Sequence, residues 1–160
     1  MLRRLWAPWR FKLFALPKTR ACIFCAIPRS SGDRRSYLLF RGAKTFVMMN
    51  LYPYNNGHLL IAPYRHIPNL RKADPGELFE LFQEARRATV ILDRVLKPDG
   101  YNMGINMGRA GGAVFAGHLH LHLVPRWTGD TNFMATVDES RVITRSLDAL
   151  YRLLLKNYAR

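Results

Sequence analysis

The sequence predicts an α+β domain built on an antiparallel β-sheet. Short β-rich runs bounded by Gly, Asn and Pro recur along the chain, and one long amphipathic segment interrupts them. Strands joined largely by short turns, with one long helix inserted, favour an antiparallel sheet over a wound parallel one. With 160 residues and 49% hydrophobic content, the chain is expected to form a single domain that buries its own core.

Five strands are predicted, over residues 36–40, 45–50, 58–62, 101–107 and 118–124, and the first three are expected to form a meander. The glycine-rich loop at residues 108–112 separates the last two strands. It is no dinucleotide-binding fingerprint, because it leads into a strand instead of opening a helix.

The long helix has clear boundary signals. Asp74 is the expected cap, Pro75 takes the first helical position, Glu77 completes a capping box, and the helix should stop near Pro98. Apolar side chains at helical spacing predict its core face, namely Leu78, Leu81, Phe82, Ala85, Leu92, Val95 and Leu96. A second helix is predicted over 146–158, inside a C-terminal helical segment at 138–160.

Three histidines alternate with leucines in the last predicted strand. Side chains of a strand alternate between faces, so His118, His120 and His122 should share one face while the leucines between them pack on the other. Their outer Cα atoms would lie about 13 Å apart, too far to share one metal. The pattern therefore predicts a row of imidazoles in which the central one attacks or exchanges protons and its neighbours orient it.

Cys22 and Cys25 form a Cys-x-x-Cys pair and are the only cysteines in the chain. Such a pair can chelate zinc, form a redox couple or pack as small buried side chains, and the spacing alone leaves all three open. A zinc site would need two further ligands, for which His66 and His118 are the plausible candidates, and its role would be structural.

The chain is strongly basic, with a net charge of +14. Eleven of its 25 basic residues lie in the first 44 positions, against the single acid Asp33, and residues 1–20 form a basic arm. This charge suits nucleic acid or a polyphosphate substrate, but no RNA-binding, zinc-finger or helix-turn-helix signature supports nucleic-acid binding. No run is apolar enough for a membrane span or a signal peptide, so a cytoplasmic protein is expected.

The histidine row, together with other segments, resembles the histidine triad superfamily of nucleotide hydrolases and transferases. Residues 118–124 match its signature, in which three histidines alternate with apolar residues, and the similarity includes residues 50–53, 56–63 and 102–106. The resemblance implies a five-stranded antiparallel sheet with one long helix and a C-terminal helix. Residues 6–10, 117–127 and 129–134 look most like the bacterial diadenosine tetraphosphate phosphorylases, also called ATP adenylyltransferases.

That resemblance implies a nucleotidyl transferase that cleaves dinucleoside polyphosphates by phosphorolysis. His120 would form the nucleotidyl-histidine intermediate, His122 would contact phosphate, and His58 would support the row from a neighbouring strand. Hydrolysis of dinucleoside polyphosphates or nucleoside phosphoramidates is the alternative, and a nucleotide-binding regulatory module with little turnover is an alternative of another class. Many hydrolase relatives carry a polar residue where this chain has Val114, which weakens the hydrolase interpretation.

Further roles follow from the resemblance. Asn50 falls where the family binds ribose, and the positions that pack the base are Ile23, Phe24, Ile27, Leu51 and Leu60, although any of these apolar residues could be core. Asn106 falls near the phosphate but could instead form a turn. Arg126, with Arg109 and the arm, would bind phosphates.

Zinc-containing relatives such as galactose-1-phosphate uridylyltransferase place their ligands at positions that match Cys22, Cys25, His66 and His118. The resemblance also implies a homodimer in which two sheets join. Trp127 and Phe133 are candidates for that interface or for the second nucleotide.

Overall fold

The sheet has five strands, all paired antiparallel, as the sequence predicts. A computed structural model describes residues 22–108, 110–113, 117–130 and 145–158. The strands are β1 (Leu38–Arg41), β2 (Thr45–Met49), β3 (Leu59–Pro63), β4 (Gly100–Ile105) and β5 (Leu121–Arg126), in the order β1-β2-β3-β5-β4. The predicted meander of the first three strands is therefore confirmed.

Four helices accompany the sheet among the described residues. They are α1 (Ile23–Ala26), α2 (Asp33–Ser36), α3 (Pro75–Leu96) and α4 (Leu147–Tyr158), with single 3-10 turns at Ile27–Arg29 and Leu70–Lys72. The short helices α1 and α2 were not predicted, because one turn is too short to show a periodic pattern. None of the described helices combines the length and apolarity needed to cross a bilayer.

The two faces of the sheet bury different clusters. Leu59, Ile61, Leu121 and Leu123 pack on the face covered by α3 and α4. The opposite face carries a smaller cluster, which comprises Phe24, Leu38, Phe46, Met48, Leu60 and Ala62. Because side chains alternate along a strand, His122 lies on this second face, beside Leu60.

Helix α3 begins with the predicted capping box. The Asp74 carboxylate accepts from the Glu77 amide at 2.8 Å, and Glu77 Oε2 accepts from the Asp74 amide at 3.0 Å. The core face prediction was wrong at Phe82, whose side chain is 52% exposed. Phe82 has the hydrophobic character and helical spacing of a core residue, but its position on α3 leaves it exposed.

The last strand starts later than predicted, at Leu121 instead of His118. The backbone before it forms other bonds: the Leu119 amide donates to Ile67 O at 2.6 Å, and His118 O accepts from the His120 ring at 2.8 Å. These bonds take the place of the strand pairing that was expected for residues 118–120.

Some predictions concern residues that the structure does not describe. They are those on the arm at 1–20, on Arg109, Val114 and Phe133, and on the segment boundary at 138. The boundaries of the single domain therefore stay a prediction.

Candidate active site and metal cluster

The imidazole of His120 is held in one tautomer by the backbone. It is buried, and its Nδ1 lies 2.8 Å from the backbone oxygen of His118. Because a carbonyl can only accept, Nδ1 carries the proton and Nε2 keeps its lone pair. Burial lowers the pKa of His120 below the ordinary histidine value, and the hydrogen bond to His118 offsets this only in part. The ring is therefore uncharged at neutral pH.

His58 and His122 are joined by a hydrogen bond between their rings. The Tyr54 amide donates to His58 Nδ1 at 3.1 Å, so this nitrogen is an acceptor and the ring proton of His58 lies on Nε2. His58 Nε2 lies 3.0 Å from His122 Nδ1 and donates to it. The proton of a neutral His122 therefore lies on Nε2.

Asn50 contacts His58. Its Oδ1 accepts from the Tyr52 amide at 3.0 Å, which orients Nδ2 toward His58 Nδ1 at 3.2 Å. Asn50 thus supports the same proton position on His58 as the Tyr54 amide does. Its ribose role stays a prediction.

Gly57 forms the turn that precedes His58. Its φ is +76°, and a Cβ there would lie 2.7 Å from Leu96 Cδ1 of α3. Glycine is the residue that fits both the backbone conformation and the close approach to α3. The Asn50 amide donates to His58 O at 2.9 Å, which closes the connection from β2 to β3.

Four side chains that could bind a metal meet at the first histidine of the row. The ligand atoms of Cys22, Cys25, His66 and His118 all lie within 4.8 Å of one another. Nδ1 of His118 is 3.4 Å from Cys22 Sγ and 3.5 Å from Cys25 Sγ, and His66 Nδ1 is 3.3 Å from Cys25 Sγ. A tetrahedral zinc with two sulfurs at about 2.3 Å and two nitrogens at about 2.0 Å gives ligand separations of roughly 3.3–3.8 Å. The donor set and its spacing therefore fit zinc.

The tautomer of His118 also fits a metal ligand. Its Nε2 lies 2.9 Å from the backbone oxygen of Pro63, to which it donates, so Nδ1 is free of a proton and faces the sulfurs. Burial lowers the pKa of His118, which favours the neutral ring that a metal requires. Burial and the neighbouring Cys22 raise the pKa of the Cys25 thiol. A bound cation would counter this by favouring the thiolate.

The predicted base-packing residues lie around the second face of the sheet. Ile23 and Ile27 are partly buried, Leu51 is 38% exposed, and Leu60 belongs to the buried cluster. Phe24 has no exposed surface and stacks on His120, with ring centroids 4.6 Å apart. Their contacts with a base remain predictions.

Two residues that were predicted to contact phosphate, Asn106 and Arg126, form hydrogen bonds within the protein. Asn106 Nδ2 donates to Gly112 O at 3.5 Å, a contact that spans the glycine loop. Arg126 donates to both carboxylate oxygens of Asp130, at 2.6 and 2.8 Å, and Asp130 also accepts from Asn55. This geometry gives Arg126 a structural role, and its phosphate role stays a prediction.

Sequence reasoning missed the groups that set the proton positions. Tyr54 acts through its backbone amide and Pro63 through its backbone oxygen, and neither group has a sequence signature. The ring of Tyr54 also lies 4.7 Å from that of His58.

Trp127 was predicted to lie at the dimer interface or against the second nucleotide. Its indole nitrogen donates to Lys97 O at 3.1 Å, and both predictions remain untested.

Comparisons with known proteins give a family match and named relatives. Residues 32–129, more than half of the chain, match the model of the HIT domain. The chain is 38% identical over 168 aligned residues to the AP-4-A phosphorylase of Mycobacterium tuberculosis, covering 99% of this chain and 86% of that protein. It is 32% identical over 95 residues to the asymmetrical bis(5'-nucleosyl)-tetraphosphatase of Schizosaccharomyces pombe, covering 59% of this chain and 52% of that protein.

A solved structure is similar over most of its length. The Zn-bound histidine triad family protein from Mycobacterium smegmatis superposes with a TM-score of 0.71 at 28% identity, covering 87% of this chain and 94% of that one. The predicted α+β fold is confirmed by this similarity.

Proposed function

Because the chain belongs to the HIT domain family, we propose that it cleaves dinucleoside polyphosphates such as diadenosine tetraphosphate by phosphorolysis. The observation that carries the proposal is the bond from His120 Nδ1–H to His118 O, which places the lone pair of the neutral ring on Nε2, the proposed nucleophile. The similarity to an AP-4-A phosphorylase over nearly the whole chain supports this substrate.

The reaction would proceed by double displacement. His120 Nε2 attacks the α-phosphorus of one adenylate, an N–P bond forms, and the bond to the bridging oxygen breaks, releasing ATP. An oxygen of inorganic phosphate then attacks the same phosphorus, the N–P bond breaks, and ADP leaves. Diadenosine tetraphosphate and phosphate thus give ATP and ADP.

The pair His58 and His122 would stabilise the charge that develops on the phosphoryl group. His122 Nε2–H donates to a phosphoryl oxygen, while His58 holds the ring through the 3.0 Å bond to Nδ1. A fixed donor needs no reorganisation during the reaction, so it favours the transition state over the bound substrate. His58 therefore acts through His122.

Zinc bound by Cys22, Cys25, His66 and His118 would serve as a structural cross-link, because four protein ligands leave no coordination position for a substrate. The four residues themselves fasten α1 to the backbone that follows β3 and to the backbone that precedes β5. A cytoplasmic location is part of the proposal, since reduced thiols are kept in that compartment.

The active form is proposed to be a homodimer. Strand β4 is at the end of the sheet, with Met103 46% exposed, and the outer side of α3 carries exposed Phe79, Phe82 and Val90. Tyr101 of β4 bonds to the backbone of α3, so the edge and the apolar side of the helix are neighbours. Multi-angle light scattering of Phe82→Glu should detect monomer where the unmodified protein is dimeric; an unmodified protein that is monomeric would exclude the dimer.

The deciding experiment incubates the purified protein with diadenosine tetraphosphate, with and without inorganic phosphate, and separates the products by ion exchange. ADP and ATP formed only with phosphate are the expected products. AMP and ATP formed without phosphate would instead establish hydrolysis, the activity named for the Schizosaccharomyces pombe relative. No product in either condition would overturn both.

A further inference from the structure

Phe24 occupies an unusual position between the metal cluster and the nucleophile. It lies in α1, with Cys22 and Cys25 on either side in the sequence. Its ring stacks on the imidazole of His120, with centroids 4.6 Å apart and an interplanar angle of 25°, and lies 5.3 Å from the ring of His118. One aromatic side chain therefore contacts both a candidate ligand and the nucleophile.

The burial of Phe24 argues against a direct contact with a nucleotide base. Its side chain is 0% exposed, whereas Ile23 and Ile27 in the same segment are partly exposed. A base can pack only on a side chain that presents surface to the pocket. The base-packing role therefore suits the two isoleucines better than Phe24.

The imidazole of His120 needs more than its hydrogen bond to be oriented. The bond to His118 O restrains Nδ1, but one bond does not fix the plane of the ring. Phe24 lies against one face, and the ring of His122 approaches at 4.9 Å with an interplanar angle of 62°. These two contacts restrict the plane, and so determine where the lone pair of Nε2 points.

We propose that Phe24 is a positioning residue that holds the His120 imidazole in the plane required for attack on the α-phosphorus. The proposal rests on the proposed function, since the orientation matters only if His120 is the nucleophile. Phe24 is itself held on two sides: the cysteines next to it lie against His118, and its ring packs in the cluster that contains Phe46 and Leu60. The metal-ligand segment thus also carries the support of the nucleophile.

The test compares Phe24→Leu with Phe46→Leu. Both rings are 0% exposed and belong to the same cluster, but Phe46 packs on Tyr64, at 5.5 Å, instead of His120. Both variants lose a buried ring, so both should melt at a lower temperature. Only Phe24→Leu should lower kcat, by about ten- to hundredfold, with KM nearly unchanged.

A second readout does not depend on turnover. In protein labelled with ¹⁵N-histidine, the ring nitrogen shifts report which nitrogen carries the proton. The unmodified protein and Phe46→Leu should show a single tautomer for His120, and Phe24→Leu should show a shifted or averaged signal. If the protein cleaves no dinucleotide, the proposed function fails while these spectra still decide whether Phe24 orients His120.

Several results would overturn the proposal. A raised KM with unchanged kcat would make Phe24 a base contact, and equal losses of kcat in both variants would mean that only stability is affected. Unchanged His120 signals in Phe24→Leu would also exclude the positioning role. Metal content is measured in every variant, and a loss of kcat that accompanies a loss of metal would exclude the role as well. If Phe24→Leu does not fold, Phe24→Met replaces it, because methionine fills irregular apolar space.

Discussion

Replacing both Cys22 and Cys25 with serine is the sharpest perturbation of the metal cluster. The double variant removes the two sulfur ligands and leaves His66 and His118, and two imidazoles alone hold zinc weakly. The expected outcome is one tightly bound zinc per chain in the unmodified protein and a large loss of metal in the variant, both by elemental analysis.

The size of the accompanying stability loss follows from linkage. The four ligands come from three separate parts of the fold, α1 and the backbone flanking β3 and β5, so the folded state binds zinc far better than the unfolded chain does. Zinc at a hundred times its dissociation constant stabilises the fold by about 2.7 kcal/mol. For a chain of this length each kcal/mol changes Tm by about 2–4 °C, so Tm should fall by roughly 5–11 °C.

Calorimetry or circular dichroism measures Tm with and without a chelator. Ala26→Ser is the matched control, because Ala26 is exposed in the same helix and gains the same hydroxyl without losing a ligand. It should keep its metal and its Tm. Two results would refute the structural role of the cluster. One is an unmodified protein that is folded but contains no metal, and the other is a Tm that does not change when a chelator removes the metal.

Three further changes test other parts of the structure. His120→Ala should lower turnover at least about a thousandfold while nucleotide binding, measured by calorimetry, persists; undiminished turnover would exclude it as nucleophile. Hydrogen bonds from Arg65 lower the pKa of Glu77 below the ordinary 4.5. The Glu77–Arg65 pair therefore stabilises the folded state fully above pH 4.5, and this stabilisation is lost as the pH falls through the lowered pKa. Glu77→Gln should therefore weaken the fold near pH 7 and flatten the acid limb of its stability curve, and an unchanged acid limb would contradict the pairing. Gly57→Ala should destabilise by about 1–3 kcal/mol in urea unfolding, because its φ is +76° and its Cβ would lie 2.7 Å from Leu96; no loss would mean that the turn relaxes freely.

Local signals were enough for much of the fold. The capping box at Asp74 and Glu77 fixed the start of α3, because both partners lie three residues apart in the chain. The alternation around His120 predicted which side chains pack toward α3, and Leu121 and Leu123 do so. Short-range patterns of this kind depend on the period of the element and little else.

The same reasoning was incomplete where packing decides. Phe82 is hydrophobic and correctly spaced for the core, yet it is exposed, because burial depends on which elements cover the helix. The strand at 118–124 was predicted from alternation, but the bonds made by Leu119 and His118 delay its start to Leu121. Both differences come from residues distant in the sequence or from backbone groups.

The sequence by itself determined the chemistry that is available: a row of imidazoles, two thiols with two histidines to complete a metal set, and an antiparallel sheet to carry them. Only the tertiary structure decided the proton positions of His58, His118, His120 and His122. The proton positions depend on the Tyr54 amide and on the oxygens of Pro63 and His118, and the plane of His120 depends on the ring of Phe24. Backbone donors and acceptors are the same in every residue, so their effect arises only when the fold aims them at a particular side chain.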